Sequence, residues 1–231
     1  GFETSRFAHY YILHPDKRNF SLVTVGDYNS EFRSDATRSP SKDLTEVSGS
    51  SLRSSIEECL LLQHNLPRKT PDYLINRYFR HPFYQYRAYV IRNGPKNSGV
   101  IVARVCRYRE ARAIKIVDLV GPSTALVGLQ SHWHALLRKT GAEYVDFYCA
   151  GLSDADLLSS GFSRRKAVDD IIVPQHFEPF SRENIEIDCM IMRSSSVSRD
   201  STMSSCSAQS ARLAGSGSIK IIESISEVSI P

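Results

Sequence analysis

The clearest alternation of apolar and polar positions runs from Ala113 to Gly151, AIKIVDLVGPSTALVGLQSHWHALLRKTGAEYVDFYCAG. Ala113–Val120 is apolar and β-branched, and Gly121-Pro122 closes it, which predicts a strand. Leu126, Leu129, Trp133, Leu136 and Leu137 then recur at helical spacing, with Ser123 or Thr124 placed to cap the helix and Gly141 to end it. Glu143–Cys149 is a second short strand. Strand, four-turn helix and strand make a right-handed crossover between parallel strands, and ligands of such sheets gather beyond the carboxyl ends. Strict alternation puts Ile114, Ile116, Asp118 and Val120 on one face of the first strand, and Tyr144, Asp146 and Tyr148 on one face of the second.

The pattern elsewhere places the other elements. Strands are expected at Phe7–Leu13 and Phe20–Val25, and helices at Leu52–His64 and Pro71–Arg80, the second with Thr70-Pro71-Asp72 as its start. Tyr86–Arg92 and Gly99–Tyr108, joined at Asn93-Gly94, read as a hairpin. A short helix at Asp154–Ser159 and strands at Ala167–Val173 and Asn184–Met192 complete the order. The polar stretch 27–49 reads as a loop or linker. After Phe180 no aromatic residue occurs, and fourteen of the 42 residues from Met190 onward are Ser. Such a segment buries too little to offset its ordering entropy, so 193–231 is expected to be a disordered tail in which Ile219–Ile225 could pair locally.

Composition sharpens this only locally. The formal net charge of the 231 residues is +4, but Arg68–Arg112 holds eleven Lys or Arg against two acids. That run suits an anionic ligand, and equally the solvated face of a sheet. Nucleic acid has only the basic, aromatic run Arg77–Arg92 to favour it and is disfavoured. Five scattered cysteines without a CxxC pair point to reduced thiols and a cytoplasmic setting. No apolar run is long enough to span a membrane. No metal-ligand spacing, P-loop, GxGxxG or GxSxG motif is present.

Candidate chemistry gathers at the strand ends. Asp118 and Asp146, on adjacent strands, could raise one another's pKa to give a general base, hold a cation or amine, or pair with Arg or Lys as structural groups. Tyr148 is a candidate proton donor, or a packed ring with a hydrogen-bonded tip. His176 and Glu178, in the proline-flanked run PQHFEPF, line either a pocket or a surface turn.

The order of elements over Asn19–Met192 is similar to that of the GNAT acyl-CoA N-acyltransferases. Asn76-Arg77-Tyr78 with His81-Pro82, VDLVG, EYVDFY, Gly161-Phe162 and HFEPF resemble GNAT-type proteins of bacterial surface-polysaccharide and amino-sugar gene clusters. The resemblance implies an α+β fold with a central mixed sheet and helices on both faces. It implies that the strands at 113–120 and 144–149 splay apart to admit the pantetheine arm of acetyl-CoA or another acyl-CoA. Leu119, Val120, Gly121, Ser123 and Thr124 would then hold the cofactor, through an oxyanion-hole amide and the helix N-terminus. Asp118, Asp146 and Tyr148 would act in catalysis, and Arg77, His176 and Glu178 would bind the acceptor, a small-molecule amine such as a sugar or sugar nucleotide. Where GNAT enzymes carry Q/R-x-x-G-x-G/A, this chain has Gly121-Pro122-Ser123-Thr124-Ala125, and LSDADLLSS lacks the usual acid tyrosine. A non-catalytic binding or structural module is therefore the alternative. Gly1-Phe2 through Pro15 echoes Gly161-Phe162 through Pro174, so residues 1–18 are expected to end an upstream copy, with 19–192 as the GNAT-like domain.

Overall fold

The structure, a computed structural model, describes residues 2–26, 42–62, 69–166, 171–174, 183–193 and 219–222. In chain order these form β1 (Phe2–Arg6), β2 (Ala8–Leu13), β3 (Thr24–Val25), β4 (Lys42–Val47), α1 (Ser50–Leu60) and α2 (Pro71–Leu74), the last running on as a π-helical turn, Ile75–Phe79. Then come β5 (Arg87–Asn93), β6 (Lys96–Tyr108), β7 (Ala111–Val120), a 3₁₀ turn (Ser123–Ala125), α3 (Gln130–Thr140), β8 (Tyr144–Cys149) and α4 (Asp154–Ser159). Short strands β9 (Ser163–Arg164), β10 (Ile171–Ile172), β11 (Asp188–Arg193) and β12 (Ile219–Ile222) follow.

Seven strands build the central sheet in the order β4-β5-β6-β7-β8-β2-β9. Its pairs are antiparallel except β7 with β8, which are parallel, as the crossover through α3 requires. One face carries Tyr89, Ile91, Ile101, Ile114, Ile116, Val145 and Phe147 and packs on Trp133 and Leu137 of α3 and Leu157 of α4. The other carries Ala88, Val90, Val100, Val102 and Val120 beneath Leu52, Ile56 and Cys59 of α1 and Leu74 of α2. Helices therefore cover both faces of a mixed sheet, the α+β class expected.

Several expectations change in detail. Lys42–Val47, read within a polar linker, is the edge strand β4. Its sequence KDLTEV offers only Leu44 and Val47 as apolar positions, and pairing with β5 supplies what local pattern does not. The helix expected from Ser123 begins at Gln130, with Leu129 at its N-cap and no side-chain cap. Thr70 does cap α2, accepting from the N–H of Tyr73 at 3.1 Å. β2 lies inside the central sheet, between β8 and β9. Within the stretch read as tail, Ile219–Ile222 pairs with β11, and β11 with β1. His176, Glu178 and most of the Ser-rich tail lie outside the described residues.

Candidate functional site: an opened strand pair

Parallel pairing of β7 with β8 runs from Ala113/Tyr144 to Ile116/Phe147 and stops. Beyond that point β7 continues to Val120 against β6, and β8 continues to Cys149 against β2. A bulge marks the divergence: Val102 faces Asp118 and Ala103 faces Ile116, so Val117 is an extra residue on β7. The two strands open toward their carboxyl ends, as the resemblance implies, and the backbone that β7 turns toward β8 after Ile116 lacks a ladder partner there.

The bulge also corrects the expected alternation. Ile114, Ile116 and Leu119 face α3, whereas Asp118 and Val120 face α1 and α2. The extra residue reverses the phase of the strand and brings Asp118 onto the face that holds Lys115 and Asp146.

Each carboxylate on this face has its own cation. Asp118, buried at 6 % exposure, accepts from the Lys69 ammonium and, at 3.0 Å, from the hydroxyl of Tyr78. Burial, then the Asp118 charge, pushes the Tyr78 phenol well above its usual range. Asp146 is fully buried: its Oδ2 accepts from Lys115 Nζ at 2.7 Å and lies 3.0 Å from His9 Nε2. Lys115 Nζ also donates to Tyr144 Oη at 3.0 Å and to the carbonyl of Pro174 at 3.1 Å. Desolvation lowers the Lys115 pKa against the pull of Asp146, and lowers that of His9 in the same way. The carboxylates therefore do not form the mutually repelling pair considered from sequence; each is a member of an ion pair.

Tyr148 stacks on His9 with ring centroids 3.9 Å apart, and burial followed by the nearby Asp146 charge raises its pKa. Arg77 is exposed, its guanidinium 5.6 Å from the centroid of the Tyr78 ring. Sequence reasoning had not singled out Lys69, Lys115 or His9, and met Tyr78 only within the motif Asn76-Arg77-Tyr78. For Lys115 a signal existed: a lone lysine between isoleucines in a strand with both faces covered must find an internal carboxylate.

The loop after β7 decides whether acyl-CoA fits. Gly121 adopts φ +114°, and a Cβ there would stand 2.9 Å from the carbonyl oxygen of Ser98, so only glycine lets the chain turn this closely over β6. The next amides are committed to the protein itself. Ala125 N–H donates to Pro122 O, Leu126 to Ser123 O, Val127 to Thr124 O, Gly128 to Ser159 O and Leu129 to Leu126 O. The carbonyls of Thr124, Ala125 and Val127 converge on Lys42 Nζ at 3.0, 3.1 and 2.8 Å. Ser123 Oγ donates to Asp156 Oδ2 at 2.6 Å. A diphosphate needs donors aimed outward; this loop turns five amides inward and sets a carboxylate beside Ser123. Leu119, Val120, Gly121, Ser123 and Thr124 lie at the mouth of the opening, and the amides that follow them, from Ala125 to Leu129, are bonded within the protein rather than aimed outward. Among the described residues no three His, Cys, Asp or Glu side chains converge on a metal-sized site, and no helix is long and apolar enough to cross a membrane.

No protein-family model and no curated protein matches the chain. Solved structures are similar in part. A GCN5-related N-acetyltransferase from Anabaena variabilis aligns at 16 % identity and TM-score 0.43, over 72 % of this chain and 39 % of its own. A functionally unknown conserved protein from Staphylococcus epidermidis aligns at 13 % and 0.46, over 71 % and 60 %. A GCN5-related N-acetyltransferase from Kribbella flavida aligns at 8 % and 0.40, over 71 % and 56 %. The chain thus spans less than two thirds of the length of each.

Proposed function

We propose that the chain is a GNAT-like module that binds an amine-bearing small molecule, such as an amino sugar or sugar nucleotide, in the opening between β7 and β8. Asp118 is the group that receives the amine: it is an aspartate that already holds an ammonium, Lys69, beside the hydroxyl of Tyr78. The ligand's amine replaces the Lys69 ammonium on the carboxylate, an exchange of like for like that leaves no buried charge unpaired. One observation carries the choice of binding over acyl transfer from coenzyme A: the inward commitment of the amides from Ala125 to Leu129.

A second reading, N-acyl transfer to the same amine, is favoured by the bulge at Val117 and the opened strand pair. In that reading Asp118 takes the proton that the amine loses. Calorimetry separates the two. Glucosamine or a nucleotide-linked glucosamine should bind, and Asp118→Asn should weaken that binding at least about tenfold, the loss expected for one charge-assisted hydrogen bond. Acetyl-CoA should give no heat and no product. Saturable acetyl-CoA binding with turnover would replace the first reading by the second; absence of any amine binding would remove both.

A further inference from the structure

Next to the opening, the segment after α2 builds a ledge of rings. Tyr78, whose hydroxyl reaches Asp118, meets Tyr86 edge-on at 5.1 Å between centroids, and Tyr86 meets Tyr84 at 6.4 Å. His81 lies 5.0 Å from Tyr84, and its Nδ1 accepts the N–H groups of Phe83 and Tyr84 at 3.2 and 3.0 Å, which fixes the shape of the loop. Arg104 supports Tyr84 from the sheet, its guanidinium 4.3 Å from the ring centroid. At the outer end Phe83 is 85 % exposed and Tyr84 42 % exposed. Neighbouring apolar rings left open to water form the kind of patch that marks a binding surface.

The segment that carries the ledge is basic. From Lys69 to Arg109 there are nine Lys or Arg and a single acid, Asp72, which is paired with Arg53. Arg77 and Arg80 are both exposed on the turn that carries Tyr78. Exposed flat rings call for a flat ring, and guanidinium groups beside them call for phosphate, which arginine meets with two parallel hydrogen bonds.

We infer that the ledge takes the nucleotide of a nucleoside diphosphate amino sugar, with the base stacked on Phe83 and Tyr84 and the diphosphate against Arg77 and Arg80. This rests on the reading of the opening as the amine site, and it turns one subsite into two: the nucleotide lies on the ring ledge and the amine at Asp118. It places the diphosphate on the α2 side of the sheet, away from the loop whose amides from Ala125 to Leu129 are already bonded within the protein.

The test is calorimetry on the full chain with UDP, glucosamine and UDP-glucosamine as probes. UDP alone should bind, and more weakly at higher salt. Phe83→Ala and Arg77→Ala should each lower its affinity about tenfold, within the range for loss of a stacked base or a charge-assisted bond. Phe83→Ala should leave glucosamine binding unaltered, and UDP-glucosamine should bind more tightly than either part. Failure of UDP to bind, or binding indifferent to both variants, overturns the ledge while leaving the amine site intact if glucosamine still binds. Loss of glucosamine binding with UDP binding preserved has the reverse meaning: the ledge stands as a nucleotide site and the amine reading falls. An oligouridylate that binds more than about a hundredfold tighter than UDP would overturn the proposal in favour of a single-stranded nucleic acid surface.

Discussion

Asp118 and Asp146 stand on neighbouring strands, on the same face of one sheet, each against a lysine, yet they belong to different parts of the molecule's chemistry. Asp146 sits where β7 and β8 still pair, directly across from Lys115, with no exposure on either side chain. Asp118 sits beyond the last paired residues, and its lysine arrives from outside the sheet and keeps 19 % exposure. A buried ion pair inside a ladder is part of the fold, since neither partner can leave without stranding the other. A carboxylate just past the point where strands part can exchange its cation for a ligand. The boundary between the two regimes is one bulged residue, Val117.

The largest effect should come from breaking the inner pair. Lys115→Met takes the ammonium away from buried Asp146, and should cost about 3–5 kcal/mol of stability. Urea denaturation measures it, with Asp118→Asn as the control: that variant should lose much less stability, because water reaches the Lys69 side. Equal losses would erase the distinction between the sites.

Gly121→Ala sharpens the comparison from the other end. At φ +114° and 2.9 Å from Ser98 O, the added methyl should cost roughly 1–3 kcal/mol of backbone strain. The displaced strand end should weaken amine binding at Asp118. The Asp146 cluster, on the paired part of β7, should keep its hydrogen-exchange protection; loss of protection there would show that the two regions move as one.

The smallest effect is a pH slope confined to the inner cluster. Burial holds His9 below its ordinary pKa of 6.5, so the folded protein binds fewer protons there than the unfolded chain. Its contribution to stability is therefore present above about pH 6.5 and lost as pH falls below it. His9→Gln should flatten the part of the stability profile between pH 7 and 5 that belongs to this residue, without changing the pH dependence of amine binding. Half-buried His134 and His14 shift in the same direction and leave a residual slope.

The β5–β6 hairpin, the β7–α3–β8 crossover and α4 follow from local periodicity, because each has an apolar face that closes on a near neighbour. β4 was missed: an edge strand covered on one side needs few apolar residues. The position of β2 in the sheet was also invisible, since its partner β8 lies far along the chain. Both aspartates were found as acids at strand ends, but Asp118 was assigned to the wrong face. The bulge that turns it is set by the register between β6 and β7, which no single-strand pattern contains. Lys69 and Tyr78 reach Asp118 from the turn region before β5, a juxtaposition made only by tertiary folding.

That distant pairing has a consequence for how the molecule is made. β2 holds four mostly buried positions, His9 to Ile12, and its partners in β8 are synthesised about 140 residues later. Until then Tyr10, Tyr11 and Ile12 have no sheet to enter and are exposed in the growing chain. Closure of the sheet by β2 is a late event of high contact order, and the His9–Asp146–Lys115 cluster can form only at that step. A ribosome-bound chain halted before β8 would carry β2 as a sticky, unpaired strand, a segment on which a chaperone would act.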